Sequence, residues 1–134
     1  MATLKTNTLT GTSTAGSIAV TGEGNSTTTN LQQGLAKVWS NLEQTSTYST
    51  RDSFNLSSHG DGGTGVSILT FTTNFGNANH ASASMASNVN NVAGNDTDSL
   101  IQTTSQLRVG LYDVGSNAAQ DGSYVTVSIH GDLA

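Results

Sequence analysis

The chain contains no cysteine, which excludes disulfides, thiolate metal sites and cysteine nucleophiles and leaves no redox clue to compartment. Charge is scarce too. Only 10% of the residues are charged, and four Lys/Arg stand against nine Asp/Glu. Such a balance offers no basic stripe to a phosphate backbone, so nucleic acid is not an expected partner. Large apolar residues are few: Leu, Ile, Val and Phe together number 27 of 134, at the edge of what builds a core. No apolar run approaches the ~18 residues of a membrane span. The N-terminal MATLKTNTLTG lacks the basic and apolar regions of a signal peptide. The expectation is therefore a chain with neither signal peptide nor membrane span.

What fills the chain instead is Ser, Thr and Asn, 52 residues together. A net charge of only −5 gives little self-repulsion, so this composition reads as solvent-facing strands and Gly/Asn turns rather than disorder. One domain of ordinary size is expected, with part of its burial supplied by neighbouring chains.

Residues 1–30 hold few large apolar groups and read as an extended arm that orders by contact. From Leu31 the spacing of Leu31, Leu35 and Val38 is helical, with Thr29 or Asn30 placed as cap, so a short helix is expected near residues 30–36. KVWSNLE, residues 37–43, fits either continuation of that helix or a strand. Beyond it the pattern is β. RDSFNLSS puts Phe54 and Leu56 on one face, and VSILTFTTNF is dense in β-branched and aromatic residues. NHASASM alternates, QLRVGLYDV groups Leu107, Val109 and Leu111, and SYVTVSIHG groups Val125, Val127 and Ile129. HGDGGTG, GNAN, NVNNVAGNDTDS and GSNAAQDG read as turns or loops. The fold expected is all-β, an antiparallel sandwich of jelly-roll-like type, with residues 1–30 as arm and 31–134 as head. Trp39, Phe54, Leu56, Phe71 and Val127 are its expected core markers.

Catalytic and metal chemistry find little footing. HGDGGTG, residues 59–65, has no lysine and precedes a strand, so it is not a phosphate loop. The chain has no G-x-S-x-G elbow. Asp61, or Asp96 and Asp98 in NDTD, lack the ligand series of a calcium loop. His59, His80 and His130 would need the fold to unite them around zinc, and among 18 serines no spacing marks a nucleophile. Trp39 with Tyr48, Tyr112 and Tyr124 is a candidate glycan platform, against the commoner role of a lone Trp in a core. The expectation is a non-enzymatic protein without cofactor or metal. Its HGDGGTG glycines would serve a hairpin, and His59, Asp61 and Thr64 are candidate surface contacts.

The segment RDSFNLSSHGDGGTGVSILTFTTNFGNANHA, residues 51–81, resembles one that recurs in tail-fibre and other virion-surface proteins of bacteriophages, especially marine ones. The upstream TTTNLQQGLAKVW, residues 27–39, and the closing YVTVSIHGD, residues 124–132, are similar to segments found in the same order in that family. Residues 40–50 depart from its pattern. The resemblance implies a non-enzymatic, homotrimeric β-sandwich head on a phage particle, with the N-terminal arm contacting other virion proteins. It favours the strand for residues 37–43. It also implies Gly62, Gly63 and Gly65 as turn residues with positive φ, and Leu69, Phe71 and Phe75 as fillers of the sandwich. The function implied is a short tail-fibre or spike component that helps attach to host polysaccharide or envelope protein; the alternative is a capsid decoration protein.

Overall fold

The structure, a computed structural model, describes residues 3–12, 18–21, 27–45, 47–87, 91–95 and 101–134. Asp96 and Asp98 lie outside these. The chain divides into two compact units, Met1–Leu35 and Ala36–Ala134.

In the first unit, β1 (Ala19–Thr21) pairs antiparallel with β2 (Thr28–Asn30). Helix α1 (Leu31–Gly34) follows directly, and the Asn30 side chain accepts hydrogen bonds from the backbone N–H groups of Gln32 and Gln33. Asn30 is thus the cap the sequence offers, satisfying two of the donors that a helix start leaves free. Leu31 N–H also donates to Ile18 O at 2.8 Å, tying α1 to the arm and moving the division past residue 30.

The second unit is a sandwich. Its strands are β3 (Val38–Glu43), β4 (Ser49–Phe54), β5 (Leu56–Asp61), β6 (Val66–Phe71), β7 (Ala81–Ser87), β8 (Asn91–Asn95), β9 (Gln106–Asp113), β10 (Ala118–Ala119) and β11 (Tyr124–His130). One sheet runs β4-β3-β11-β7; the other runs β10-β9-β6-β5, with β8 also paired to β9. Every pairing is antiparallel. Val109 and Gly110 pair with both β6 and β8, which places those strands on opposite edges of β9.

The core follows from the period of two along each strand. Val38 and Leu42 on β3 and Val125, Val127 and Ile129 on β11 meet Leu69 and Phe71 on β6 and Leu107, Val109 and Leu111 on β9, all buried in one cluster with Phe75. Each such side chain contributes about 1.5–3 kcal/mol by leaving water. Within residues 37–43, Val38–Glu43 is strand rather than helix because that period puts Val38, Ser40 and Leu42 inward beside β11.

Several expectations need correction. Trp39 and Phe54 are not core residues: they are 39% and 51% exposed and face outward as a cross-strand pair. Trp39 shares its phase with Asn41 and Glu43, and the inward phase was already taken by Val38 and Leu42. Phe54 and Leu56 do not share a face, because Asn55 stands between β4 and β5 with φ 57° and carries the chain from one sheet to the other. Leu56 packs against the core, partly buried, while Phe71 and Val127 are fully part of it.

Gly62 does not have positive φ; among the described glycines only Gly63 and Gly65 do, at 111° and 72°. Gly62 is required for space, since a Cβ there would sit 2.7 Å from Val66 Cγ1. Gly65 is required twice over, because its Cβ would lie 2.5 Å from the Leu111 carbonyl oxygen as well. Finally, NVNNVAGNDTDS is not wholly loop. Asn91–Asn95 forms β8 despite poor strand propensity, since the ladder offered by β9 outweighs it.

Candidate functional site

The HGDGGTG stretch ends β5 and turns into β6, with Gly62 N–H donating to Val66 O and Val66 N–H to Gly63 O, both at 2.9 Å. Asp61 Oδ1 accepts the Gly63 N–H at 2.7 Å, an Asx-type closure of the turn. Asp61 and Thr64 are exposed. His59 is half-buried, its ring turned inward.

There His59 Nε2 lies 2.8 Å from Ser67 Oγ, and Ser67 is fully buried. The Gln44 side-chain amide donates to the same Oγ at 2.8 Å. Gln44 Oε1 in turn accepts the Gly122 N–H at 3.0 Å, and Gln44 N–H donates back to Gly122 O. Oγ accepts from Gln44 with one lone pair, and its contact with His59 Nε2 is a hydrogen bond in either imidazole tautomer. Burial holds the His59 pKa below its ordinary value; the Ser49 backbone and the Asp61 carboxylate act weakly the other way, and Nδ1 has no partner in hydrogen-bonding geometry.

The Tyr48 ring lies 5.2 Å from that of His59. Its hydroxyl has Gly63 O, Val66 O and Asp121 Oδ1 within 3.1–3.3 Å, so one proton is shared among three acceptors. Burial first, then the Asp121 and Asp61 carboxylates, push the Tyr48 hydroxyl far above its usual pKa. Asp121 Oδ1 also accepts the Gly65 N–H at 2.6 Å.

A serine beside a histidine is half of an acyl-transfer pair, but this one is enclosed. Ser67 presents no surface to a substrate, Gln44 engages one of its lone pairs, and no carboxylate orients Nδ1. The arrangement ties the two sheets together beneath the hairpin. Gln44 and Ser67 were not singled out from sequence, although the phase of VSILTF already put Ser67 on the side of Leu69 and Phe71.

The histidines stay apart. His80 packs against Phe71 and Phe75 and has Nε2 at 3.1 Å from Thr103 O, while His130 is exposed beside Ser128. Among the described residues no three His, Asp or Glu side chains gather in a way that would hold a metal ion. Nor, among those residues, is any helix long and apolar enough to cross a membrane.

The outward face of the β4-β3-β11-β7 sheet is the second candidate. Phe54, Trp39 and Ser128 stand in one cross-strand row, and Asp52, Asn41 and Thr126 in the next. Past them, Arg51 pairs with Glu43, donates to Ser123 O at 2.9 Å and stacks 4.2 Å over the Tyr124 ring. Met85, opposite Thr126, is 75% exposed. The platform considered from sequence is thus divided: Trp39 and Tyr124 share this face, whereas Tyr48 lies under the hairpin and Tyr112 is on β9 of the other sheet.

Comparison of the chain with known family models, curated proteins and solved structures gives no match.

Proposed function

We propose that this chain is a non-enzymatic structural protein of a bacteriophage virion, a short tail-fibre or spike component that contributes to host-surface attachment. The observation that carries the reading is the placement of the segments with phage resemblance. In chain order they supply β2, α1, the first two residues of β3, the β4–β5 corner, the hairpin, β6, Phe75 and β11, and with them Val38, Leu69, Phe71, Phe75, Val125, Val127 and Ile129 of the core. Those segments are therefore scaffold, while the less similar stretches lie between them. A rigid sandwich that exposes aromatic and hydroxyl groups suits a module that binds without turning over a substrate.

In this reading the head works as a homotrimer, and the N-terminal arm contacts other virion proteins. Leu4, Leu9, Val20 and Leu35 are exposed in the first unit, and association with other chains would bury them.

The test is cryo-electron microscopy of purified particles, with antibody labelling of this chain. Density for the sandwich at the tail is expected. Density at the capsid shell overturns the attachment role and assigns particle decoration instead. Release of reducing sugar from host envelope by the purified chain would overturn the non-enzymatic part.

A further inference from the structure

The strand register brings an aromatic row and a polar row side by side on the outward face of one sheet. Phe54, Trp39 and Ser128 make the first, and Asp52, Asn41 and Thr126 the second, two residues further along each strand. In a sheet the strands are about 4.8 Å apart and equivalent rows about 7 Å apart, so one sugar ring resting on the indole reaches the polar row with its rim. We propose that this face is a glycan-binding surface for a neutral oligosaccharide, with Trp39 as the stacking platform and Asn41 and Asp52 as hydrogen-bonding partners for sugar hydroxyls. The inference rests on the attachment reading and names its ligand class and its residues.

Three observations choose this occupant over others. First, the two aromatic side chains expose ring surface, 39% for Trp39 and 51% for Phe54, and the C–H face of a pyranose is the apolar half of an amphipathic ligand. Second, the polar row matches the other half. Asp52 is exposed and engages one oxygen with the Ser53 N–H, and Asn41 Oδ1 is shielded from solvent with no hydrogen-bond partner. Rotation of that amide offers the acceptor to a hydroxyl. An apolar protein surface laid here would strip water from both groups and return nothing. Third, the charge at the centre is the Asp52 carboxylate, while Arg51 is engaged by Glu43 and Tyr124 at the margin. Phosphate, sulfate and uronate groups are therefore repelled.

Trp39 is the chain's one tryptophan, so its fluorescence reports on this face directly. The full chain would be titrated with hexasaccharides of neutral glucan, mannan and galactan, and with polygalacturonate as the anionic control. A saturable change in Trp39 emission with at least one neutral hexasaccharide is expected. By calorimetry, Trp39→Ala and Asp52→Asn should each weaken that binding at least about tenfold, with the unfolding midpoint of Asp52→Asn unchanged. The absence of a saturable response to every neutral hexasaccharide up to about 10 mM, a range that includes weak complexes, overturns the proposal. So does preferential binding of polygalacturonate, or a concentration-dependent blue shift of Trp39 with matching self-association in the ultracentrifuge, which assigns the face to a second copy. A tail location without glycan binding would sink this inference alone; a capsid location would sink the attachment reading whatever the face binds.

Discussion

Gln44 and Ser67, 23 residues apart in sequence, are joined by a buried 2.8 Å hydrogen bond that links the end of β3 in one sheet to β6 in the other. Ser67 is also held by His59, and Gln44 by both backbone groups of Gly122. A polar connection through an otherwise apolar core is costly when broken on one side, because the remaining partners cannot reach water.

Gln44→Leu keeps the volume and removes the amide, leaving the buried Gly122 N–H without a partner and the Ser67 hydroxyl with His59 alone. A loss of about 1–3 kcal/mol is expected, chiefly from the orphaned Gly122 N–H. Urea denaturation should show a lower midpoint with an unchanged slope. A midpoint equal to that of the natural chain would show that the link contributes nothing.

Acid should weaken the same network. Burial lowers the His59 pKa from its ordinary 6.5, so the unfolded chain takes up the proton first as pH falls. The stability carried by neutral His59 is complete above pH 6.5 and declines from there down through the lower folded value. Protonation also makes Nε2 a donor only, placing a charge against buried Ser67. The melting temperature should drop below this point, and His59→Gln, which gains no proton there, should have a flatter acid slope.

Asn55 holds the β4–β5 corner in two ways. Its φ of 57° suits few residues other than glycine, and its side chain donates to Lys37 O and Thr73 O while accepting from Thr73 N–H at 2.7 Å. Asn55→Ala should cost about 2–4 kcal/mol, combining strain with lost hydrogen bonds. Asn55→Gly relieves the strain alone and should fall between Asn55→Ala and the natural chain in thermal unfolding.

The outward aromatics and the inward aliphatics should separate in a stability scan. Leu42→Ala empties a fully buried site and is expected to cost about 2–5 kcal/mol. Phe54→Ala, on the open face, should cost about 1 kcal/mol or less. Equal losses would mean that the outer face is covered in solution.

Much of the architecture is legible because the strand period is local. Leu107, Val109 and Leu111, and again Val125, Val127 and Ile129, announce buried faces by alternation alone, and Asn30 announces its helix by the chemistry of a cap. The phase of Trp39 was legible as well, since Asn41 and Glu43 share it, but aromatic character argued for the core and masked that signal. The network at Gln44 was not legible, because nothing within SNLEQTSTYST marks a residue whose partners lie 23 and 78 positions away.

The amino-acid sequence by itself determined an all-β chain, its core triplets, the HGDGGTG hairpin and the short capped helix, since these depend on neighbours a few residues apart. Tertiary structure alone decided the strand order, the left-handed step at Asn55, the recruitment of Asn91–Asn95 as a strand, the burial of Ser67 and the alignment of Trp39 with Phe54. The reason is physical: pairing register and burial are set by which distant segments share hydrogen bonds and exclude water, and a residue's own type enters that competition as only one of its terms.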